Sequence, residues 1–303
     1  MADARSLEGR VALVTGSGRN IGRATILELA SRGADVVTNA RSNREEAESV
    51  AQEARDLGVR AAATVADVAD QAQVNAMVSA ALNEFGRVDI LVNNAGILRD
   101  KSFAKMDLSD FAKVLDVHLM GTVNCCKAVW THMAAREYGR IVVTTSCSGM
   151  YGNFGQSNYG AAKAGVVGLM NTLAIEGAKK NIKVNTLAPT AATRMTEALL
   201  TPETLELLQP ETITPGLLAL VAEDAPTKMV LGAGGGCFAE IRITETQGVA
   251  LVGDDLNVDG VVAAMGRIRD PEGAAVMDNA FSQTRKYARM GAAARGLPLP
   301  WNE

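Results

Sequence analysis

Along the first two-thirds of the chain, short apolar runs alternate with stretches whose apolar positions recur every three to four residues. Runs at 11–14, 35–39, 60–65, 88–92, 140–145 and 182–187 read as strands. Segments 21–31, 44–57, 69–85, 109–135 and 158–179 read as helices. This alternation predicts an α/β fold of the Rossmann type: a doubly wound parallel sheet with helices on both faces. Ligands of such sheets sit beyond the carboxyl ends of the strands, where the strand order reverses.

Beyond residue 187 the pattern loosens. Thr201-Pro202 and Gln209-Pro210 punctuate short helices, and 229–233 reads as a strand followed by Gly234, Gly235 and Gly236. Residues 237–252 alternate and predict an added strand or hairpin. A helix is expected over 273–290. The chain therefore reads as one dinucleotide-binding catalytic domain over 1–252, with a helical C-terminal extension over 253–303 packed on that domain.

Composition narrows the function classes. The net charge of −4 excludes a general nucleic-acid binder, which would be basic. No apolar run reaches the roughly 18 residues of a membrane span, and the polar start lacks the apolar core of a secretory signal. These features point to a cytoplasmic protein with neither membrane nor nucleic-acid partners. Cys125, Cys126, Cys147 and Cys237 form no CxxC pair, so no metal site is expected, and free, mostly buried thiols are the simplest reading.

The stretch TGSGRNIG, residues 15–22, lies between the first strand and the first helix. Gly16, Gly18 and Gly22 let backbone N–H groups approach a pyrophosphate at the helix N-terminus, whose dipole favours the negative charge. Asn20 is one of the few non-glycine residues that tolerate a left-handed backbone. Arg19 and Ile21 complete the turn. At the end of the second strand, an acidic residue would bind the ribose 2′-hydroxyl of NAD. Here that place is Ala40, followed by Arg41, Ser42 and Arg44, with Arg19 in the facing loop. The cationic, hydroxyl-bearing pocket favours NADP(H) over NAD(H).

In NYGAAK, Tyr159 and Lys163 stand four apart and share one helix face. An ammonium beside a phenol favours the phenolate, so Tyr159 is expected to have a lowered pKa and to exchange protons near neutrality. Ser146, at the end of the fifth strand, offers a hydroxyl to a carbonyl oxygen.

These motifs together resemble the short-chain dehydrogenases/reductases over roughly residues 7–235. The glycine turn resembles that family's cofactor loop. Asn94, Ala95 and Gly96, within NNAG, resemble its segment beside the cofactor, and Asp67-Val68 its adenine contact. The resemblance implies that Ser146 positions the reacting oxygen, Tyr159 exchanges its proton, and Lys163 binds the nicotinamide ribose and tunes Tyr159. It also implies that Pro189 and Ala192 hold the carboxamide. One departure stands out. Where the family usually has a catalytic asparagine, this chain has His118, which could hold the same water, relay protons itself, or be a buried structural residue.

Segments such as HLMGT, YGNFGQSNY and RMTEALLTPETLELLQPE are similar to the (3R)-hydroxyacyl-CoA dehydrogenase part of peroxisomal multifunctional enzyme type 2. That enzyme has an aspartate in the place of Ala40 and uses NAD. The resemblance implies a 3-hydroxyacyl or 3-oxoacyl thioester substrate, possible acyl-CoA binding near Arg99, Lys101 and Arg194, and a pocket lined by 149–154. A steroid, aryl or sugar secondary alcohol is the alternative substrate, and a non-catalytic NADP-binding sensor the alternative class. The long helices imply a homodimer or homotetramer.

Overall fold

The computed structural model describes residues 6–191 and 201–298. Contacts divide the chain into two units, one ending at Ile241 and the other beginning at Arg242.

The first unit carries the sheet. Seven strands are parallel: β1 (Val11–Val14), β2 (Asp35–Ala40), β3 (Ala61–Val65), β4 (Ile90–Asn93), β5 (Gly139–Thr144), β6 (Ile182–Pro189) and β7 (Val230–Gly234). An eighth, β8 (Cys237–Ile241), runs antiparallel to β7. The order is β3-β2-β1-β4-β5-β6-β7-β8, so the direction of winding reverses between β1 and β4. Gly235 and Gly236 join β7 to β8 with φ of +56° and +75°, the left-handed pair that a two-residue hairpin turn requires.

Two hydrophobic layers sandwich the sheet. One contains Val74, Met77 and Val78 of α3 (Gln71–Phe85), Cys126, Val129 and Met133 of α5 (Gly121–Ala135), and Val166, Val167 and Met170 of α7 (Ser157–Gly177). The other contains Ile26 and Leu29 of α1 (Asn20–Ser31), Val50 and Ala54 of α2 (Arg44–Asp56), and Leu217 and Val221 of α9 (Thr214–Val221). β1, β4 and β5, buried along their whole length, need no polar alternation, which is why they read as continuous apolar runs.

The predicted helix over 109–135 is not continuous. It divides into α4 (Leu108–Leu115), one wide π-turn over Asp116–Met120, and α5. Short helices α6 (Cys147–Tyr151) and α8 (Pro202–Leu207) occupy the connections after β5 and β6.

Opposite the carboxyl ends of the strands, a fully buried arginine anchors β5. Arg140 donates to the carbonyls of Ala222, Gly139, Asn181 and Glu223 at 2.8–3.0 Å. Its guanidinium carbon lies 4.2 Å from the centre of the Tyr138 ring, and that of Arg10 lies 3.6 Å from it.

In the second unit, β9 (Thr244–Glu245) pairs antiparallel with β10 (Ala275–Val276). Helices α10 (Val258–Ala263), α11 (Met265–Ile268) and α12 (Ala280–Ala294) complete it. Residues 242–252, placed with the catalytic domain on sequence pattern, group here. The helix expected over 273–290 starts later, because Asn279 caps α12 by accepting from the Ser282 N–H at 3.2 Å. Lys286 of α12 meets the Glu245 carboxylate at 2.8 Å.

Candidate active site

The carboxyl ends of β1, β4 and β5 gather most of the singled-out residues. Gly16, with φ of +61°, turns the chain out of β1. A Cβ on Gly16 would meet the Ala95 Cα at 2.8 Å, and one on Gly22 would meet the Gly16 carbonyl at 2.4 Å. Asn20 takes the left-handed conformation expected of it, with φ of 49°. Asn94 locks the turn from the β4 side, its amide donating to the Thr15 and Gly16 carbonyls, each at 3.1 Å. Thr15 accepts from the Asn94 and Ala95 N–H groups at 3.0 and 3.1 Å. From β2, Asn39 accepts from the Gly16 N–H at 3.2 Å, and Ser17 accepts from the Asn39 N–H at 2.9 Å.

No side chain caps the N-terminus of α1. Its first N–H groups, at the end of a tightly fixed glycine turn, are those that an anionic diphosphate would take. The residues therefore fit a dinucleotide.

Further out, Asp67 accepts from the Ala69 N–H at 2.9 Å, and Val68 is buried with its carbonyl accepting from the Asn124 amide at 2.9 Å. Ala40 is buried at the end of β2, whereas Arg41 and Ser42 are exposed. Pro189 closes β6. Ala192 and Arg194 lie outside the described residues.

Ser146 follows β5 and is the N-cap of α6, accepting from the Ser148 N–H at 3.2 Å. Tyr159 and Lys163 follow on α7, with the Lys163 Nζ 5.6 Å from the centre of the Tyr159 ring. Lys163 is buried and donates to the Thr144 carbonyl at 2.5 Å. Burial lowers its pKa to about 7. Burial pushes the Tyr159 phenol up, while its hydrogen bond with Ser146 pulls it down. The lowered pKa expected from Lys163 is not found: desolvation sets the direction of the shift, and the opposing pull comes from Ser146, which residue spacing does not reveal.

His118 sits in the π-turn with 3% of its surface exposed. Its Nε2 lies 2.7 Å from the Ile97 carbonyl and 3.0 Å from the Ile97 N–H. Its Nδ1 is buried without a hydrogen-bond partner. The ring meets Tyr159 edge-on, with centroids 5.0 Å apart. Burial, with the Lys163 charge second, lowers the imidazole pKa to about 3, so it is neutral at physiological pH. Only glycine at position 96 leaves room for it, since a Cβ there would lie 2.4 Å from His118 Cε1.

Pattern reading missed several supports of the site. Asn158, fully buried beside Tyr159, donates to the Arg99 carbonyl at 3.0 Å and accepts from the Tyr159 N–H at 2.7 Å. Thr145 donates to the Lys163 carbonyl at 2.5 Å. Their only signal was adjacency to residues already singled out. Arg99 and Lys101 are paired with carboxylates, Arg99 with Asp110 and Lys101 with Asp107 and Asp110. Cys125 and Cys126 are buried, but Cys147 and Cys237 are exposed, so the thiols are not mostly buried.

A winding reversal at β1/β4, an uncapped helix behind a glycine turn, and a hydroxyl, phenol and amine at the next strand end define a nicotinamide-dependent oxidoreductase acting on CH–OH groups. The profile of the short chain dehydrogenases matches residues 10–203, and the chain belongs to that family. It is 44% identical over 286 residues to a protein of Mycobacterium tuberculosis described as a short-chain type dehydrogenase/reductase, covering 89% of this chain and 97% of that one. It is 41% identical over 234 residues to a 3-oxoacyl-[acyl-carrier-protein] reductase of Synechocystis, covering 75% and 94%. Full-length peroxisomal multifunctional enzyme type 2 from Drosophila melanogaster superposes with a TM-score of 0.78 at 34% identity, covering 92% of this chain and 48% of that one. No helix among the described residues is long and apolar enough to cross a membrane.

Proposed function

We propose that this chain interconverts the hydroxyl and ketone at C3 of a (3R)-3-hydroxyacyl/3-oxoacyl thioester, using NADP(H) in preference to NAD(H). The observation that carries the chemistry is the meeting of Ser146, Tyr159 and Lys163 at the carboxyl end of β5. The Tyr159 hydroxyl exchanges a proton with the substrate oxygen, and the Ser146 hydroxyl donates a hydrogen bond to the same oxygen. Lys163, titrating near neutrality, stands with its Nζ 5.6 Å from the centre of the phenol ring. His118 contributes a neutral imidazole against the Tyr159 ring. A bound nicotinamide supplies or accepts the hydride. Gly16, Gly18, Arg19, Asn20, Ile21 and Gly22 hold its diphosphate, with Asn94, Ala95 and Gly96 behind them, and Asp67 and Val68 take the adenine. Lys163 holds the ribose, and Pro189 and Ala192 hold the carboxamide.

The acyl assignment draws support from relatives named for oxoacyl and multifunctional peroxisomal enzymes. Tyr151 and Phe154 are 73% and 90% exposed, which offers apolar surface beside the reacting groups for an acyl chain. The cofactor preference rests on Ala40 in the place of an acid and on Arg41 and Arg44, which have no carboxylate partner among the described residues. A homodimer or homotetramer and a cytoplasmic location belong to the same reading.

The test is steady-state turnover of acetoacetyl-CoA and longer 3-oxoacyl-CoAs against a panel of ketosteroids, aryl ketones and sugars, each with NADPH and NADH. Higher kcat/KM on the thioesters with NADPH supports the proposal. Preference for another carbonyl class reassigns the substrate, and turnover of none, with the dinucleotide bound, makes the chain a sensor. Arg41→Asp is expected to move the cofactor ratio toward NADH, and an unchanged ratio removes Arg41 from that choice.

A further inference from the structure

The carboxylate missing from the end of β2 has a substitute on the next helix. Asn43 caps α2 by accepting from the Glu45 and Glu46 N–H groups at 3.0 and 3.3 Å, which fixes the first turn of that helix. Glu46 is thereby set against the glycine turn. A Cβ built on Gly18 would lie 3.0 Å from the Glu46 Cβ and 3.4 Å from its Oε2. The Glu46 Oε1 lies 3.7 Å from Arg19 Nη1. Both side chains of the pair are substantially exposed, 56% for Arg19 and 40% for Glu46, so water screens the pair and a stronger anion can displace it.

Two opposing demands meet at this junction. A ribose 2′-hydroxyl needs an acceptor, and a 2′-phosphate needs a guanidinium. Ala40 supplies neither, while the Arg19–Glu46 pair holds both.

On the dinucleotide reading above, we infer that Glu46 is a specificity-determining residue that keeps NAD(H) usable in a pocket otherwise built for NADP(H). With NAD(H), the ion pair stays closed and the Glu46 carboxylate accepts the 2′-hydroxyl. With NADP(H), the 2′-phosphate must compete with Glu46 for Arg19, and the two anions repel. The cofactor preference is thus moderated from α2 rather than set by the end of β2 alone. Gly18 is part of the device, because a side chain there would push against Glu46.

Calorimetric titration of the purified protein with NADH and with NADPH, at low and moderate salt, tests this without relying on turnover. Glu46→Gln keeps the shape of an exposed side chain and removes the charge. It is expected to tighten NADPH about tenfold at low salt, and less at higher salt as screening grows. It should not tighten NADH. In an Arg19→Ala background the same substitution is expected to change NADPH affinity by less than about threefold, since no guanidinium remains to compete for.

If both dinucleotides bind the parent protein and Glu46→Gln leaves their affinity ratio within twofold, the inference fails. An equal gain in the Arg19→Ala background overturns the competition. A parent protein that binds neither dinucleotide overturns the dinucleotide reading instead.

Discussion

The imidazole of His118 stands at 90° to the phenol ring of Tyr159, with ring centroids 5.0 Å apart. One ring is fixed by the Ile97 backbone. The other is carried by α7, whose Asn158 is tied to the Arg99 carbonyl. The proposed proton-exchanging phenol is therefore braced from two directions, with a neutral imidazole perpendicular to its ring and the Lys163 Nζ 5.6 Å from the ring centre.

Tyr159→Phe preserves this edge-on packing and removes the hydroxyl. Turnover should fall by about 10²–10⁴, the range for losing a positioned acid–base group, with dinucleotide affinity within a few-fold of the parent. Parallel steady-state and calorimetric measurements check this. Retained turnover would take the proton-transfer role away from Tyr159.

His118 makes stability depend on pH. In the unfolded chain its imidazole titrates near 6.5, but in the folded protein at about 3. Between these values the unfolded chain binds the extra proton. The stabilisation is present above about pH 6.5 and is lost as pH falls toward 3, at about 1.4 kcal/mol per unit of pKa difference. His118→Asn should therefore lose less stability than the parent between pH 7 and 4.5. Urea midpoints of both proteins at the two values report the difference, and parallel losses would contradict a neutral buried histidine.

Gly96→Ala places a methyl group 2.4 Å from His118 Cε1. The ring must shift or the π-turn must open. A loss of about 1–3 kcal/mol is expected from overpacking, with a fall in kcat/KM transmitted through the Tyr159 contact. Thermal melts and kinetics would show both, and a variant with parental kinetics would mean that His118 does not position the phenol.

Arg140→Met removes a buried guanidinium that serves four backbone carbonyls and packs on Tyr138. The carbonyls lose these partners, and a cost of about 3–5 kcal/mol is expected. The site at the opposite ends of the strands should keep its KM in whatever fraction remains folded. Chemical denaturation gives the cost, and kinetics below the melting temperature give the KM.

Most of the architecture was readable because parallel strands buried on both faces leave continuous apolar runs, and because glycine turns and YxxxK spacing are local. The winding pattern and the positions of Tyr159 and Lys163 on one helix followed directly. What escaped the pattern depends on three-dimensional burial. Nothing in DVHLM announces a π-turn: the segment has neither proline nor glycine, so 109–135 read as one helix. Arg140 sits near the start of a strand, where an arginine ordinarily reaches solvent, yet it is wholly buried. The direction of the Tyr159 shift depends on how much surface the neighbours cover, not on the distance to Lys163 along the helix.

The π-turn has a consequence for how this segment can evolve. One residue more than an α-turn needs is wound in between Asp116 and Met120. Deleting any one of these five would let α4 and α5 fuse into a regular helix with every backbone bond intact. The wide turn takes up its extra residue locally, so α4 and α5 would keep nearly their present phase, and the lesion would fall on the turn itself, where His118 stands. The segment can lose a residue with both halves still facing their partners, but not without resetting the stretch that sets His118 against Tyr159.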